Sequence, residues 1–410
     1  MHHFHNLFRN QFGKQETDYF QINNILLVIS FLLILLVFFP SCTTFNSLEY
    51  QKEMHVDLVD SSATRQTVNL FANLKNVAGE KILFGHQDAT KYGVGWSGIP
   101  DKSDVKDVTG SYPALYGWDF GGIASNDSGA IKDNTKEHLL KAARRGGISA
   151  FCWHNYNPVT GKNFYDTTIA VPHILKGGSH YDTYKKQLDR IADYSNTLKD
   201  EKGNLIPIIF RPYHEFDGNW FWWGRPFCTA DEFKQLWRET VDYLRMEKKV
   251  QNLIYAFSPD CRFKTRSDFL ERYPGDDYVD MIGMDNYWDF GPNGDGLKGV
   301  RSKLAILTQY ADEHGKIAAM TETGLESIPD STWWTKTLHP IISEDSIKIA
   351  FVMVWRNANK KHHYAPYPGD TSADDFVKFR NEENIYFESD LPDLYNSVYP
   401  KEFFRKPKKK

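Results

Sequence analysis

Two glutamates stand in settings where a carboxylate could do chemistry. Glu215 lies in RPYHEFDGNWFWWG, residues 211–224, directly after a histidine, and Glu322 lies in MTETG at the end of an apolar run. Cleavage of a glycosidic bond needs a proton donor for the departing oxygen and a second carboxylate that faces the cationic transition state. Carboxylates roughly 5–5.5 Å apart retain the configuration of the sugar, whereas a gap of about 6.5–9.5 Å admits a water molecule and inverts it.

The His-Glu pair could instead belong to a zinc protease. That motif, H-E-x-x-H, sets two histidines on one face of a helix. Here the second histidine would fall on Gly218, and the pair follows LIPIIF, a pattern typical of a strand. No other His, Cys or carboxylate cluster in the sequence has metal-ligand spacing, so we expect neither a metal nor a cofactor.

Aromatic residues make up 15% of the chain, which is the unusual feature of its composition. Large aromatic side chains are costly to expose unless a flat ligand such as a sugar ring covers them. Trp220, Trp222 and Trp223 could therefore line a polysaccharide cleft, or they could fill a large core. The sequence alone leaves both interpretations open for each tryptophan.

Eight short apolar runs alternate with segments of helical period from about Val68 onward. Each run is almost continuously apolar, as expected of parallel strands covered on both faces. The runs are KILFGHQDA, YPALYGWDF, GISAFCWHN, LIPIIFRPYHE, LIYAFSPD, VDMIGMDNYW, IAAMTETG and IKIAFVMVWRN. Eight such units predict a (β/α)8 TIM barrel. A doubly wound open sheet is the alternative, although no G-x-G-x-x-G follows the first run.

The clearest helical segment is TADEFKQLWRETVDYLRM, residues 229–246. Its apolar residues recur on one face, and Thr229 and Glu232 have the spacing of a capping box that marks the helix start.

Polar residues recur where the predicted strands end. In a barrel these ends meet at one face, where the βα-loops build the active site. We therefore predict that the functional residues meet at that face. They are His86 and Asp88, Trp118 and Asp119, His154 and Asn155, His214 and Glu215, Asp260, Asn286 and Tyr287, Glu322, and Trp355 and Arg356.

The motifs RPYHEFDGNWFWWG, MTETG, HNYNP, MDNYW and HHYAPYPGDTSADDFVKF resemble those of glycoside hydrolase family 26. This family consists mainly of β-mannanases and belongs to the retaining clan of (β/α)8 glycosidases. The resemblance runs from about Val68 to Tyr399. It implies that Glu215 is the general acid/base and that Glu322 is the nucleophile, which forms a covalent glycosyl-enzyme.

The implied substrate is a β-1,4-linked mannan, galactomannan or manno-oligosaccharide. The alternatives are a family member that acts on another β-glucan or on xylan, and a lipoprotein that binds polysaccharide without cutting it. The presence of both glutamates argues against a protein that only binds. Whether cleavage is internal or from chain ends is left open by the sequence.

The resemblance also indicates residues that would contact sugar. His154, Trp355 and Arg356 match family positions on the non-reducing side of the cut. His214 stands where most of the clan carries an asparagine next to the 2-hydroxyl of the substrate. The family shares this histidine, which suits the axial 2-hydroxyl of mannose. Trp220 is a further candidate for sugar binding.

The proposed roles require different protonation states of the two glutamates. Glu215 must hold a proton when substrate arrives, so burial and the charge of Glu322 should raise its pKa from about 4.3 toward 6 or above. Glu322 must stay ionised, and Arg211 and Tyr287 could stabilise its charge. Alternation along a strand would place Arg211, Tyr213 and Glu215 on one face.

The N-terminal region reads as an export signal. ILLVISFLLILLVFF, residues 25–39, is uncharged, shorter than the roughly 20 residues of a membrane-spanning helix, and followed by PSC. It resembles a bacterial lipoprotein signal with Cys42 as the lipidated residue. A misassigned start codon or an uncleaved anchor are the alternatives, because the leader is long and Arg9 and Lys14 are offset by acidic residues. No strongly acidic run follows Cys42, which favours a periplasm-facing anchor over the cell surface.

These observations divide the chain into a leader at 1–42, a linker and lead-in segment at 43–67, a catalytic domain at 68–400 and a solvated basic tail at 401–410. The net charge is −4 and basic residues are scattered outside that tail, so we expect no nucleic-acid partner. Cys152, Cys228 and Cys261 have no close spacing, so structural thiols are expected and no disulfide can be assigned. We expect a monomer.

Overall fold

The computed structural model of the protein describes residues 45–125 and 134–408. The predicted leader, with Cys42, lies outside these residues. Within the described ranges no helix is both long and apolar enough to cross a membrane. The elements below belong to one compact unit that begins at Ser47.

Eight parallel strands form a sheet that closes on itself, which confirms the predicted (β/α)8 barrel. The first strand pairs with the second on one side and with the eighth on the other. Each predicted apolar run contains one of these strands. They are β1 (Ile82–Gln87), β2 (Leu115–Asp119), β3 (Ile148–Cys152), β4 (Ile208–Arg211), β5 (Leu253–Phe257), β6 (Met281–Asn286), β7 (Ile317–Thr323) and β8 (Ile349–Val354).

Two helices precede β1, and the remaining helices follow strands around the outside of the barrel. In chain order they are α1 (Ser47–Glu53), α2 (Arg65–Val77), α3 (Asp104–Thr109), α4 (Gly121–Ser125), α5 (Thr135–Arg144), α6 (Val171–Ile174), α7 (Tyr181–Asn196), α8 (Ala230–Asp242), α9 (Arg266–Leu270), α10 (Gly296–His314), α11 (His339–Ile342), α12 (Ala373–Asn381) and α13 (Lys401–Arg405). The predicted start of α8 is confirmed, since Thr229 and Glu232 form a complete capping box.

Apolar residues form two clusters because strand side chains alternate between the two faces of the sheet. Ile209, Ile254 and Ala319 point into the barrel, in a cluster that also contains the apolar face of α2. Their strand neighbours, such as Phe210 and Tyr255, join the larger cluster beneath the surrounding helices. Helix α2 therefore closes one end of the barrel, and the polar strand ends lie at the other.

The predicted boundaries at residues 68 and 401 differ from the structure. Residues 47–67 belong to the barrel unit, since the Ser47 hydroxyl donates to the Ala63 carbonyl and the buried Asp280 carboxylate accepts from the Val59 amide. The basic tail is also packed in part, because Phe404 in α13 is fully buried. The basic charge pattern of residues 401–410 gives no sign of this buried aromatic side chain.

Three cysteines are described, Cys152, Cys228 and Cys261, and all three are free and buried. This agrees with the expected structural thiols.

Candidate active site

A cleft of about 1110 Å³ opens at the carboxyl ends of the strands. It contains residues from several of the predicted polar strand ends, as expected for a barrel of this class. Its walls include Glu215, Asp217, Trp220, Asp260, Arg262, Tyr287 and Trp288.

Glu322 is almost completely buried near the end of β7, where two partners hold its carboxylate. The Arg211 guanidinium forms an ion pair with one oxygen, and the Tyr287 hydroxyl donates to the other at 2.9 Å. The pairing of β6 with β7 shifts by one residue here, since Met284 pairs with Met320 but Asp285 pairs with Glu322. Such a bulge re-aims side chains. It lets two consecutive residues, Thr321 and Glu322, both face the barrel interior.

Asp285 connects the groups beneath the cleft. Its carboxylate accepts hydrogen bonds from the hydroxyls of Ser258 and Thr321, each at 2.8 Å, and from Arg211 at 2.5 Å. Burial raises the pKa of Asp285 to about 7, the Arg211 charge opposes this shift, and the Glu322 charge adds to it. The Arg211 guanidinium therefore pairs with both Asp285 and Glu322, two buried carboxylates that would otherwise repel each other.

Glu215 lies beyond the end of β4, in a turn with unusual backbone geometry. Tyr213 has φ of 50° and Glu215 has φ of 55°, so two non-glycine residues adopt the left-handed region on either side of His214. Such residues cost roughly 1–3 kcal/mol each and cluster at functional sites. The Glu215 amide donates to the Ser258 carbonyl at 3.0 Å, which fixes the turn to β5.

The expectation that Arg211, Tyr213 and Glu215 share one face was wrong for Tyr213. Strand β4 ends at Arg211, so alternation does not continue through the turn. Tyr213 is buried in the outer cluster, where its hydroxyl meets the Thr240 hydroxyl at 2.9 Å.

The environment of Glu215 favours its protonated form. Burial raises its pKa well above the ordinary value, and the charges of Asp285, Glu322 and Asp260 raise it further. The indole N–H of Trp220 donates to the carboxylate at 2.7 Å and acts in the opposite direction. Tyr287 lines the cleft together with Glu215 and donates to Glu322, so both glutamates lie close to the same cleft.

His214 is buried beside the same carboxylates, and its ring nitrogen lies within 4.8 Å of carboxylate oxygens of Asp285 and Glu322. Burial lowers the pKa of His214 well below its usual value, and the nearby charge of Arg211 adds to this shift. The imidazole is therefore neutral. Its Nδ1 is buried and has no hydrogen-bond partner among the described residues.

Among the described residues, two groups of side chains have the donor atoms of a metal site. The first consists of His214, Asp285 and Glu322, and the second of Asp119, Cys152 and His154. In the first, the Arg211 guanidinium already neutralises both carboxylates, so a cation there would meet a positive charge. In the second, Asp119 accepts hydrogen bonds from the backbone and ring of His154 at 3.0 and 2.9 Å. We therefore assign neither group to a metal.

Comparison with known proteins agrees with this geometry. The model of glycosyl hydrolase family 26 matches residues 59–365, which is most of the chain. The chain belongs to glycosyl hydrolase family 26. This confirms the resemblance found in the sequence motifs.

Individual relatives in family 26 are named for activity on mannan. A mannan endo-1,4-beta-mannosidase of Bifidobacterium adolescentis is 36% identical over 83% of this chain, and a Bacillus subtilis enzyme of the same name is 27% identical over 55%. The chain spans 36% and 64% of their respective lengths. The structure of a GH26 beta-mannanase from Bacteroides ovatus is 43% identical, with a TM-score of 0.77, and covers 82% of this chain and 98% of its own.

His154 lies beside both His214 and Trp355, whereas Arg356 makes a separate hydrogen bond. The His154 ring centre is 4.7 Å from that of His214 and 5.8 Å from that of Trp355. Arg356 donates to the Tyr92 hydroxyl at 3.4 Å, and that hydroxyl donates to Asp88 at 2.6 Å.

The three tryptophans of the family 26 motif have different environments. Trp222 and Trp223 are fully buried and donate to the carbonyls of Asn155 and His214, each at 2.8 Å. They are structural, and they hold the turn that carries His214. Trp220 alone among them is partly exposed in the cleft.

Sequence reasoning missed several residues in or beside the cleft. Trp288 lines the cleft and is exposed by 59%, and Tyr165, which is not part of the cleft wall, is exposed by 60%. Exposed aromatic rings in or beside a cleft are typical of sugar binding. Tyr165 lies in the long loop after β3 and stacks against Phe221 at 5.7 Å. Asp285 and Arg262 were also missed. The sequence signals were present, since Trp288 directly follows Tyr287 in MDNYW, but nothing in the pattern shows which loop residues face the cleft.

Proposed function

We propose that this protein is a glycoside hydrolase that cleaves β-1,4-mannosidic linkages in mannan, galactomannan or manno-oligosaccharides by double displacement. The observation that carries the proposal is the asymmetric pair in the cleft. Glu322 is paired with a cation, whereas Glu215 is placed so that its pKa rises well above the ordinary value. Such opposed environments are how a site obtains a nucleophile and an acid from two carboxylates.

In the first step, a carboxylate oxygen of Glu322 attacks the anomeric carbon while Glu215 gives its proton to the departing glycosidic oxygen. The bond from carbon to that oxygen breaks, and an ester between the sugar and Glu322 forms. In the second step, Glu215 takes a proton from water, the water oxygen attacks the same carbon, and Glu322 leaves as a carboxylate. Two inversions retain the configuration.

The neighbours of the pair have supporting roles in this proposal. Arg211 and Tyr287 orient the Glu322 carboxylate for attack, and they stabilise it again when it leaves. His214 is neutral, so it can hydrogen-bond the 2-hydroxyl of the sugar that reacts. His154, Trp355 and Arg356 would bind sugar on the non-reducing side, and Trp220 would bind it at the departing side.

The nucleophile assignment is tested with Glu322→Ala. We expect turnover of mannan to fall by roughly 10⁴-fold or more, because removing the attacking group removes most of the transition-state stabilisation. Binding of manno-oligosaccharide should persist, which calorimetry would measure. Glu326→Ala is the matched control, because Glu326 is an exposed glutamate just beyond the same strand. Wild-type turnover by Glu322→Ala would refute the assignment.

The acid/base assignment is tested with Glu215→Ala on two kinds of substrate. Cleavage of mannan requires protonation of the departing oxygen, whereas an aryl mannoside with an activated leaving group does not. We expect the first to lose far more rate than the second. Equal losses on both substrates would contradict the assignment.

Substrate class is decided by parallel hydrolysis of unbranched mannan, mixed-linkage glucan and xylan. The names of the relatives favour mannan. Hydrolysis of another polymer but not of mannan would show that the other polymer is the substrate. Binding of all three polymers without cleavage would favour a protein that binds polysaccharide without cutting it. Product lengths over time would separate internal from terminal cleavage.

We also propose that the protein is exported as a lipoprotein anchored through Cys42, facing the periplasm. The apolar run at 25–39 followed by PSC supports this. Metabolic labelling with a fatty acid in a bacterial host should mark the wild type and leave Cys42→Ser unlabelled. Labelling of both would refute the anchor. We propose that the enzyme acts as a monomer, which sedimentation would test.

A further inference from the structure

Trp220 lines the cleft and contacts the proposed acid/base Glu215, so its orientation is part of the chemistry. Its indole N–H donates to Glu215 at 2.7 Å. The ring packs against Gly218, since a Cβ at that position would lie 2.5–2.7 Å from three adjacent ring carbons. The Arg262 guanidinium also lies over the ring, 5.0 Å from its centre.

Arg262 reaches the ring from a loop that a second carboxylate holds. Asp217 accepts from the Asp260 amide at 2.7 Å and from the Arg262 amide at 3.3 Å, so it ties the loop after β5 to the turn after β4. The Arg262 side chain also donates to Asp260 at 3.3 Å. These contacts form a continuous path from Asp217 through Arg262 and Trp220 to Glu215.

We propose that Arg262 is a positioning residue for proton transfer, which holds the Trp220 ring so that its N–H stays on Glu215. Asp217 fixes the loop from which Arg262 reaches. Arg262 acts through Trp220 and not on the reacting atoms. The inference rests on the proposed function, because it assumes that Glu215 is the acid/base.

The contact matters because Glu215 must both give and take a proton. Its surroundings strongly favour the protonated form, and the Trp220 N–H is the contact that favours the carboxylate. Hydrogen bonding to the charged form lowers a pKa. Loss of the Trp220 orientation would raise the pKa of Glu215, which leaves a weaker and badly directed acid in the first step and a badly directed carboxylate in the second step.

The first test needs no substrate. The indole ¹⁵N–¹H signal of Trp220, assigned by its loss in Trp220→Phe, should titrate with Glu215 and stop titrating in Glu215→Gln. In Arg262→Ala we expect the midpoint to rise by about one pH unit, as for loss of a hydrogen bond to a charged group. An unchanged midpoint and an unchanged signal would overturn the proposal.

The second test compares substrates. For Arg262→Ala we expect kcat/KM on mannan to fall about tenfold, while an activated aryl mannoside is little affected, because only mannan needs a well-directed proton. Arg262→Lys should recover part of both effects, because a lysine keeps a cation near the ring. Equal losses in the alanine and lysine variants would overturn the account.

Arg266→Ala is the matched control. Arg266 is also an exposed arginine whose guanidinium lies over an aromatic ring, 4.9 Å from the centre of Tyr310, and it pairs with Glu313 at 2.5 Å. It begins α9 and is not part of the cleft wall. Its replacement should change neither readout. If the wild type cleaves no polysaccharide, the proposed function fails, and the Trp220 titration still decides the role of Arg262.

Discussion

Glu215 is subject to opposing influences at the scale of single residues. The negative charge of Asp260 raises its pKa, and the Trp220 N–H lowers it. The first step needs protonated Glu215, so kcat/KM falls as pH rises through this pKa. Each neighbour should therefore move the alkaline limb of the pH profile in its own direction.

Asp260→Asn and Trp220→Phe should shift that limb in opposite directions. Removing the Asp260 charge lowers the pKa of Glu215 and moves the limb to lower pH, whereas removing the Trp220 donor moves it to higher pH. The measurement is kcat/KM on mannan across pH, with Asp231→Asn as the control because Asp231 is almost fully exposed on α8. Shifts in the same direction would show that the alkaline limb does not report Glu215.

Arg211 is a buried residue whose charge two carboxylates share. Arg211→Met leaves Asp285 and Glu322 buried without a cation, which should cost about 3–5 kcal/mol in the free energy of unfolding. Without the cation, the pKa of Asp285 should rise beyond about 7. A carboxyl with a raised folded pKa loses stability as pH rises through it, so the deficit should be larger at about pH 9 than at about pH 6.

Urea unfolding at both pH values measures this deficit. Arg272→Met is the matched control, because Arg272 is equally buried but donates to the backbone carbonyls of Cys228 and Arg225. Its deficit should not depend on pH. A pH-independent deficit in Arg211→Met would contradict the account of the shared charge.

At the scale of elements, the sequence shows where the strands end but not how their ends are directed. Continuous apolar runs are enough to identify the eight strands, and the polar residues after them locate the cleft. The bulge at Thr321 and the left-handed residues Tyr213 and Glu215 depend on tertiary contacts. Simple alternation therefore assigned Tyr213 to the wrong face, and the sequence could not show that Asp285 joins Arg211 under the cleft.

In the turn after β4, the close packing of Gly218 against the Trp220 ring can be tested by substitution. Gly218→Ala would place a methyl group 2.5 Å from the Trp220 ring, so the ring must move away from Glu215. We expect kcat/KM on mannan to fall by about tenfold or more, with a stability cost of about 1–3 kcal/mol as in other overpacked sites. Gly203→Ala is the control for activity, because Gly203 has φ of 85° and an open Cβ position, so alanine there costs stability through its backbone without touching the cleft. Wild-type activity in Gly218→Ala would show that the ring position is unimportant.

At the scale of the whole molecule, the N-terminal and C-terminal segments of the folded unit meet at the end of the barrel that α2 covers. Helix α2 lies under the barrel and is tied to the C-terminal segment through its asparagines, with Asn69 donating to the Tyr395 carbonyl at 2.9 Å. The prediction of a linker and lead-in segment at 43–67 overlooks α1 (Ser47–Glu53), which belongs to the barrel unit. Contacts distant in sequence decide its place, and one sequence does not display them.

Asn73 gives the last prediction, because it joins these two ends by three hydrogen bonds. Its side chain donates to the carbonyls of Leu394 and Ser397 at 2.9 and 2.7 Å and accepts from the Tyr399 amide at 2.8 Å. Asn73→Ala removes one buried and two partly buried hydrogen bonds, which should cost about 2–4 kcal/mol in the free energy of unfolding. Asn76→Ala, which removes a single partly buried bond to the Tyr399 carbonyl, should cost less. Thermal and urea unfolding compare the two variants. Below the unfolding transition, kcat/KM should stay unchanged in both variants, because the cleft lies at the opposite end of the barrel. A loss of activity in folded Asn73→Ala would show that the end closed by α2 and the cleft are coupled.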